Sequence, residues 1–204
     1  MATKKKLQKM TLLSAIITLI SFAYKLTISI ITMSTVMIVA SVSSFLVFIC
    51  KAIFVKNVFE TRAKKKKAYL FMLLSVLIYS LIFIAFVVLK VNGIDIHKEV
   101  PFDGLLGILF IALLFVLFIL SILGLKGALE KTDLMVIGLK EMTFISALAD
   151  LVMIEEFVSL IVLKYVDIPN MDMINGYFSL GVGALMVLVA FIMLIRFIKY
   201  RPNN

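Results

Sequence analysis

Residues 105–125, LLGILFIALLFVLFILSILGL, contain no charged residue, no proline and no side-chain amide. At 1.5 Å per residue such a helix reaches about 30 Å, the thickness of a bilayer's hydrocarbon core. Residues 26–50 and 68–89 are uncharged over comparable lengths, and residues 176–195 are just long enough. The three prolines, Pro101, Pro169 and Pro202, all lie outside these runs, so no proline-kinked spanning helix is expected.

Composition agrees. Of the 204 residues, 63% are hydrophobic and 16% charged, and the mean hydropathy is +1.17. A soluble domain carries about 45–50% apolar and about 25% charged residues, and one core of this size cannot bury the excess. The expected fold is all-α: a polytopic transmembrane helical bundle forming a single integral membrane domain over residues 1–204. It has six spans, or five if residues 1–25 do not span. The net charge of +9 sits between the apolar runs, which makes it a topology signal rather than a nucleic-acid footprint. Cys50 is the one cysteine, so an intramolecular disulfide and a paired-thiolate zinc site are both excluded.

Counting Lys and Arg orients the chain. Residues 51–67 carry seven, including Lys64, Lys65, Lys66 and Lys67, and are assigned to the cytoplasm. Alternating from there leaves only Lys25, Lys90, Lys98 and Lys164 outside and puts the C-terminus inside, in a multi-pass protein of the plasma membrane. Tyr24, Tyr69, Tyr165, Tyr177 and Tyr200 then fall near interfaces, and Tyr79 is mid-span. Residues 1–25 allow three readings. They form a short span, residues 7–24, turning at Lys25, although no Gly, Pro or Asn marks that turn. Alternatively they are a signal peptide cleaved after Ala23, or an interfacial helix. The stripe Thr11, Ser14, Thr18, Ser21 and Lys25 would pack on a neighbour in the six-span case.

Residues 134–163 are equally long but carry Lys140, Glu141, Asp150, Glu155 and Glu156. Asp150 is immersed wherever the bilayer boundary is drawn. At 100° per residue, Lys140, Thr143, Ala147 and Asp150 fall within about 80°, and Met142, Ala149, Met153, Phe157 and Leu160 lie opposite. The polar arc should face the bundle and the apolar face should meet lipid. A carboxylate near the bilayer centre costs about 2.5–3.5 kcal/mol. No cation is expected at its depth, because Lys25 and Lys90 are read as helix ends and Lys140 is about 15 Å away along the axis. Asp150 is then protonated, hydrogen-bonded by a polar neighbour, or holding a cation. Tyr79, or a hydroxyl from the stripe Thr27, Ser34, Ser41 and Ser44, is the expected partner.

The remaining signals are weaker. Asp95, His97 and Glu99 alternate in an outer loop, with Asp103 after them, and a metal site is conceivable there, but one histidine and scattered carboxylates are better explained as a solvated loop. Lys64, Lys65, Lys66 and Lys67 could bind anionic lipid. Glu155-Glu156 is similar to the glutamate pair of intramembrane CAAX proteases, whose pattern continues to an Arg and later histidines. Phe157-Val158-Ser159-Leu160 follows here, and the one histidine, His97, lies upstream. No Ser/His dyad, phosphate loop or cofactor motif appears. The expected role is a non-catalytic accessory or interaction subunit, with lipid and other membrane subunits as partners. The alternative is a small proton- or cation-coupled carrier using Asp150, Glu155 and Glu156 with Lys140 and Tyr79 nearby.

Overall fold

Apolar runs this long satisfy their own backbone only as helix, and the computed structural model is built almost entirely of it. It describes residues 2–32, 34–57, 60–92, 105–129, 133–163, 165–166 and 170–200, with backbone alone for residues 2–7, 32, 105–106, 160 and 172. Six helices follow one another: α1 (Ala2–Thr32), α2 (Thr35–Asn57), α3 (Arg62–Val91), α4 (Leu105–Leu129), α5 (Leu134–Leu163) and α6 (Met171–Lys199). Five of them are long and apolar enough to cross a membrane: all but α5, which is 30 residues long but carries the acids. The loop with Asp95, His97, Glu99 and Asp103 lies outside the described residues.

The expected turn at Lys25 is not there. α1 continues through Lys25 for two more turns, and the chain turns beside Ser34. The cause is local: residues 22–28 contain no helix breaker, whereas Ser34 can cap. Its Oγ accepts the backbone N–H of Met37 at 3.3 Å, and its carbonyl accepts that of Ile38 at 3.0 Å. The uncharged run 26–50 is therefore divided between two helices. Asp133 starts α5 in the same way, its Oδ1 accepting the N–H of Met135 at 3.0 Å.

α5 is the centre of the bundle, packing against α2, α3, α4 and α6. This corrects the expected lipid face: Met142, Ala149 and Met153 are fully buried, and Phe157 is 1% exposed. A helix with four neighbours buries most of its surface, and its exposed apolar side chains include Val158 and Leu163 near its end. Close approach helps to pack it there. A Cβ on Gly138 would stand 2.6 Å from the Tyr69 ring of α3, so the glycine makes room for that ring. Tyr69 itself, read as interfacial, is fully buried. Exposed apolar side chains lie on α1, α3, α4 and α6, and α1 and α4 each pack their backbone on one neighbour, α2 and α5 respectively. On α4, Ile108, Leu113, Val116, Leu120 and Leu123 are all more than half exposed.

Candidate functional site

Three acids on α5 point in three directions. Relative to Glu141, a 100° step per residue puts Asp150 at about 180° and Glu156 at about 60°. Each meets a cation from a different helix. Glu141 pairs with Arg196 of α6, Asp150 with Lys25 of α1, and Glu156 with Lys90 of α3. The angles match the packing, since α3 and α6 lie against each other and α1 approaches from the opposite side. In a low-dielectric interior, ionised groups persist only when paired and hydrogen-bonded in this way.

The expectation that no cation reaches the depth of Asp150 is thus overturned. Lys25 is a mid-helix residue, about 10 Å from the end of α1, and its side chain is 3% exposed. Its ammonium also donates to Ser44 Oγ at 3.0 Å, and Ser146 Oγ lies 3.4 Å from Ser44 and 3.0 Å from Ser43. Tyr79 takes another partner, donating to the Val39 carbonyl at 3.2 Å. Of the α2 hydroxyls, Ser44 thus reaches Asp150 only through Lys25, and Ser41 donates to the Ile38 carbonyl at 2.7 Å.

At the Arg196 end the network is aromatic as well as ionic. Tyr69 donates to Glu141 Oε2 at 3.1 Å, and its ring stacks on Phe197 with 6.5 Å between centroids. Near the other end of α5, two carboxylates face one ammonium. Lys90 and Glu156 are each 1% exposed, and Glu155 lies beside them. Ser159 Oγ stands 3.2 Å from Glu155 Oε1 and 3.0 Å from Asn175 Oδ1, with one proton to give. Glu155 Oε2 is buried with no hydrogen-bond partner.

Between α1, α2, α4 and α5 lies a cavity of about 250 Å³. Lys25 and Asp150 close its deep end. Lys51 and Lys140 line it further along, with Ser14, Thr18 and Ser121. Lys51 spends its three protons on neutral oxygens: Ser14 Oγ at 2.8 Å, the Ser14 carbonyl at 3.2 Å and Thr18 Oγ1 at 2.5 Å. The hydroxyl stripe of α1 therefore faces α2 and this cavity. Lys140, read from sequence as an inner-face residue, lies against Gly124 of α4, where a Cβ would come 3.1 Å from its Nζ.

The candidate residues are thus divided among the parts of this site. Asp150 and Lys140 share the cavity, Glu155 and Glu156 share the tight cluster, and Tyr79 packs at the α2–α3 contact. Sequence reasoning missed Lys25, Lys51, Lys90 and Arg196 because lysines and arginines read as boundary markers, and Ser121 because a single serine in an apolar run carries no pattern. The Ser34-Thr35 cap was the signal that would have placed Lys25 inside a helix. Among the described residues, no three His, Cys, Asp or Glu side chains gather to hold a metal ion. Comparison with protein-family models, curated proteins and solved structures gives no match.

Proposed function

We propose that this chain is a multi-pass protein of the cell membrane, with six spans and both ends in the cytoplasm, that serves as a non-catalytic accessory or interaction subunit. The observation that carries this reading is the closure of charge on α5. Three of its four carboxylates are answered by cations from the same chain, so they hold helices together rather than wait for a cargo. The apolar sides of α1 and α4, each with one packed neighbour, suit lipid or a second membrane subunit.

Orientation rests on the positive-inside rule. Lys56, Arg62, Lys64, Lys65, Lys66 and Lys67 join α2 to α3, and Arg196 and Lys199 end α6. Within that basic stretch, Lys64 pairs with Glu60 at 2.9 Å and Lys65 with Asp133 at 2.7 Å. Lys66 Nζ sits 4.9 Å from the Phe197 ring centroid. Lys67 is exposed and, with Lys64, is the best placed to meet an anionic headgroup.

The test is extraction of the tagged chain from its native membrane in mild detergent, followed by measurement of particle mass and composition. A stoichiometric membrane partner supports the subunit reading. A particle of this chain alone, which after reconstitution carries protons or cations down a gradient, overturns it. One observation favours that second reading: Glu155 Oε2 is buried without a partner, in a cluster with one more carboxylate than ammonium. Carrier activity would then be abolished by Glu155→Gln.

A further inference from the structure

We propose that the cavity between α1, α2, α4 and α5 is a binding site for a phosphate-bearing anion, held between Lys51 and Lys140. Three ammonium groups, those of Lys25, Lys51 and Lys140, share it with one carboxylate, that of Asp150. Lys25 cancels Asp150. Lys51 and Lys140 remain, near enough to repel each other. Among the described residues no carboxylate pairs with either. Glu141, the next acid along α5, is already engaged by Arg196.

Two uncancelled charges on a hydroxyl-lined cavity between packed apolar helices call for an anion. Lys51 is 8% exposed, and all its hydrogen bonds go to neutral oxygens. Its charge is therefore solvated but not cancelled. Ser121 provides an independent sign. It is 6% exposed, its hydroxyl has no hydrogen-bond partner, and it lines the same cavity from α4. Two ammonium groups and a free hydroxyl around one space suit a charged tetrahedral oxyanion, and lysine serves phosphate as a point charge. At about 30 Å³ per water in the liquid, the cavity holds such a group with waters to spare.

Phosphate could arrive free or on a lipid. The cavity's outer walls, Ile17 of α1 and Leu120 of α4, are apolar and more than half exposed. α1 and α4 do not pack on each other along their backbones. Among the described residues Tyr24 meets Phe110 across them, with 5.6 Å between ring centroids. The cleft between them can admit a headgroup sideways with its chains left outside. Nothing here depends on whether the chain is a subunit or a carrier.

The full chain is reconstituted in nanodiscs of phosphatidylcholine alone or with phosphatidylglycerol, and each is melted with and without inorganic phosphate. A rise in Tm of about 5 °C is expected at a hundredfold excess over Kd. A rise with phosphatidylglycerol identifies the lipid as the source, and a rise with phosphate in phosphatidylcholine discs identifies the free ion. No rise with either overturns the proposal. Lys140→Gln removes a cation with no partner of its own, so the variant should fold and melt slightly higher without ligand while losing the shift. If Lys140→Gln and Lys51→Met both keep the full shift, or if Lys67→Gln alone removes it, the anion sits elsewhere and the proposal fails.

Discussion

Lys25–Asp150 and Lys90–Glu156 are chemically the same contact, a lysine on one helix and an acid on α5, yet their surroundings are opposite. Lys90 and Glu156 are sealed, with a surplus carboxylate beside them. Lys25 and Asp150 form the floor of a cavity with surplus ammonium groups above it. The sealed pair has no second cation to replace Lys90, whereas the cavity pair has Ser44 within hydrogen-bond reach and room for water. The same two residue types thus lock helices at one place and shape a polar space at the other.

That contrast can be broken by mutation. Lys90→Met leaves Glu156 buried and unpaired and is expected to cost about 3–5 kcal/mol, read as the loss of thermal stability in detergent. Lys90→Met combined with Glu156→Leu should recover most of it. An equal loss in single and double variants would mean that the pair is not the source of the effect. Asp150→Asn should cost less, about 1–3 kcal/mol, because Lys25 keeps Ser44 and can be hydrated from the cavity. A loss from Asp150→Asn as large as that from Lys90→Met would erase the distinction.

Gly138→Ala tests the packing that holds the hub. Its Cβ would meet the Tyr69 ring, and an overpacked core costs about 1–3 kcal/mol. Tyr79→Phe loses one bond to the Val39 carbonyl, worth about 0.5–1.5 kcal/mol. A double-mutant cycle with Asp150→Asn should be additive to within about 0.5 kcal/mol, and strong coupling would restore Tyr79 as a partner of Asp150. The smallest effect belongs to the surface. Lys64→Ala breaks an exposed i,i+4 pair and should change stability by less than about 0.5 kcal/mol.

Much of the architecture could be read from hydropathy alone, because a 30 Å barrier imposes a minimum length on every apolar run. Helices α3, α4 and α6 cover the uncharged stretches 68–89, 105–125 and 176–195. The α1–α2 turn was not legible in the same way, since an uncharged run has no feature at the place where it reverses. A serine cap decided it, and a lysine was mistaken for the boundary. That Asp150, 3% exposed, faces the bundle interior could be read from its place in a 30-residue helix. Its partner could not, because ion pairing between helices depends on depth and angle rather than on spacing along the chain. The apolar face of α5 misled for a related reason: amphipathicity reports polarity, and a helix at the centre of six buries its greasy side as readily as a peripheral one exposes it.

The order in which the chain is made gives the central helix a further significance. Lys25 and Lys90 are synthesised before Asp150 and Glu156, so a nascent chain ending after Leu129 holds two basic groups whose acidic counterparts do not yet exist. α5 in turn carries too many acids to partition readily by itself. The late segment and the early ones therefore complete one another on assembly.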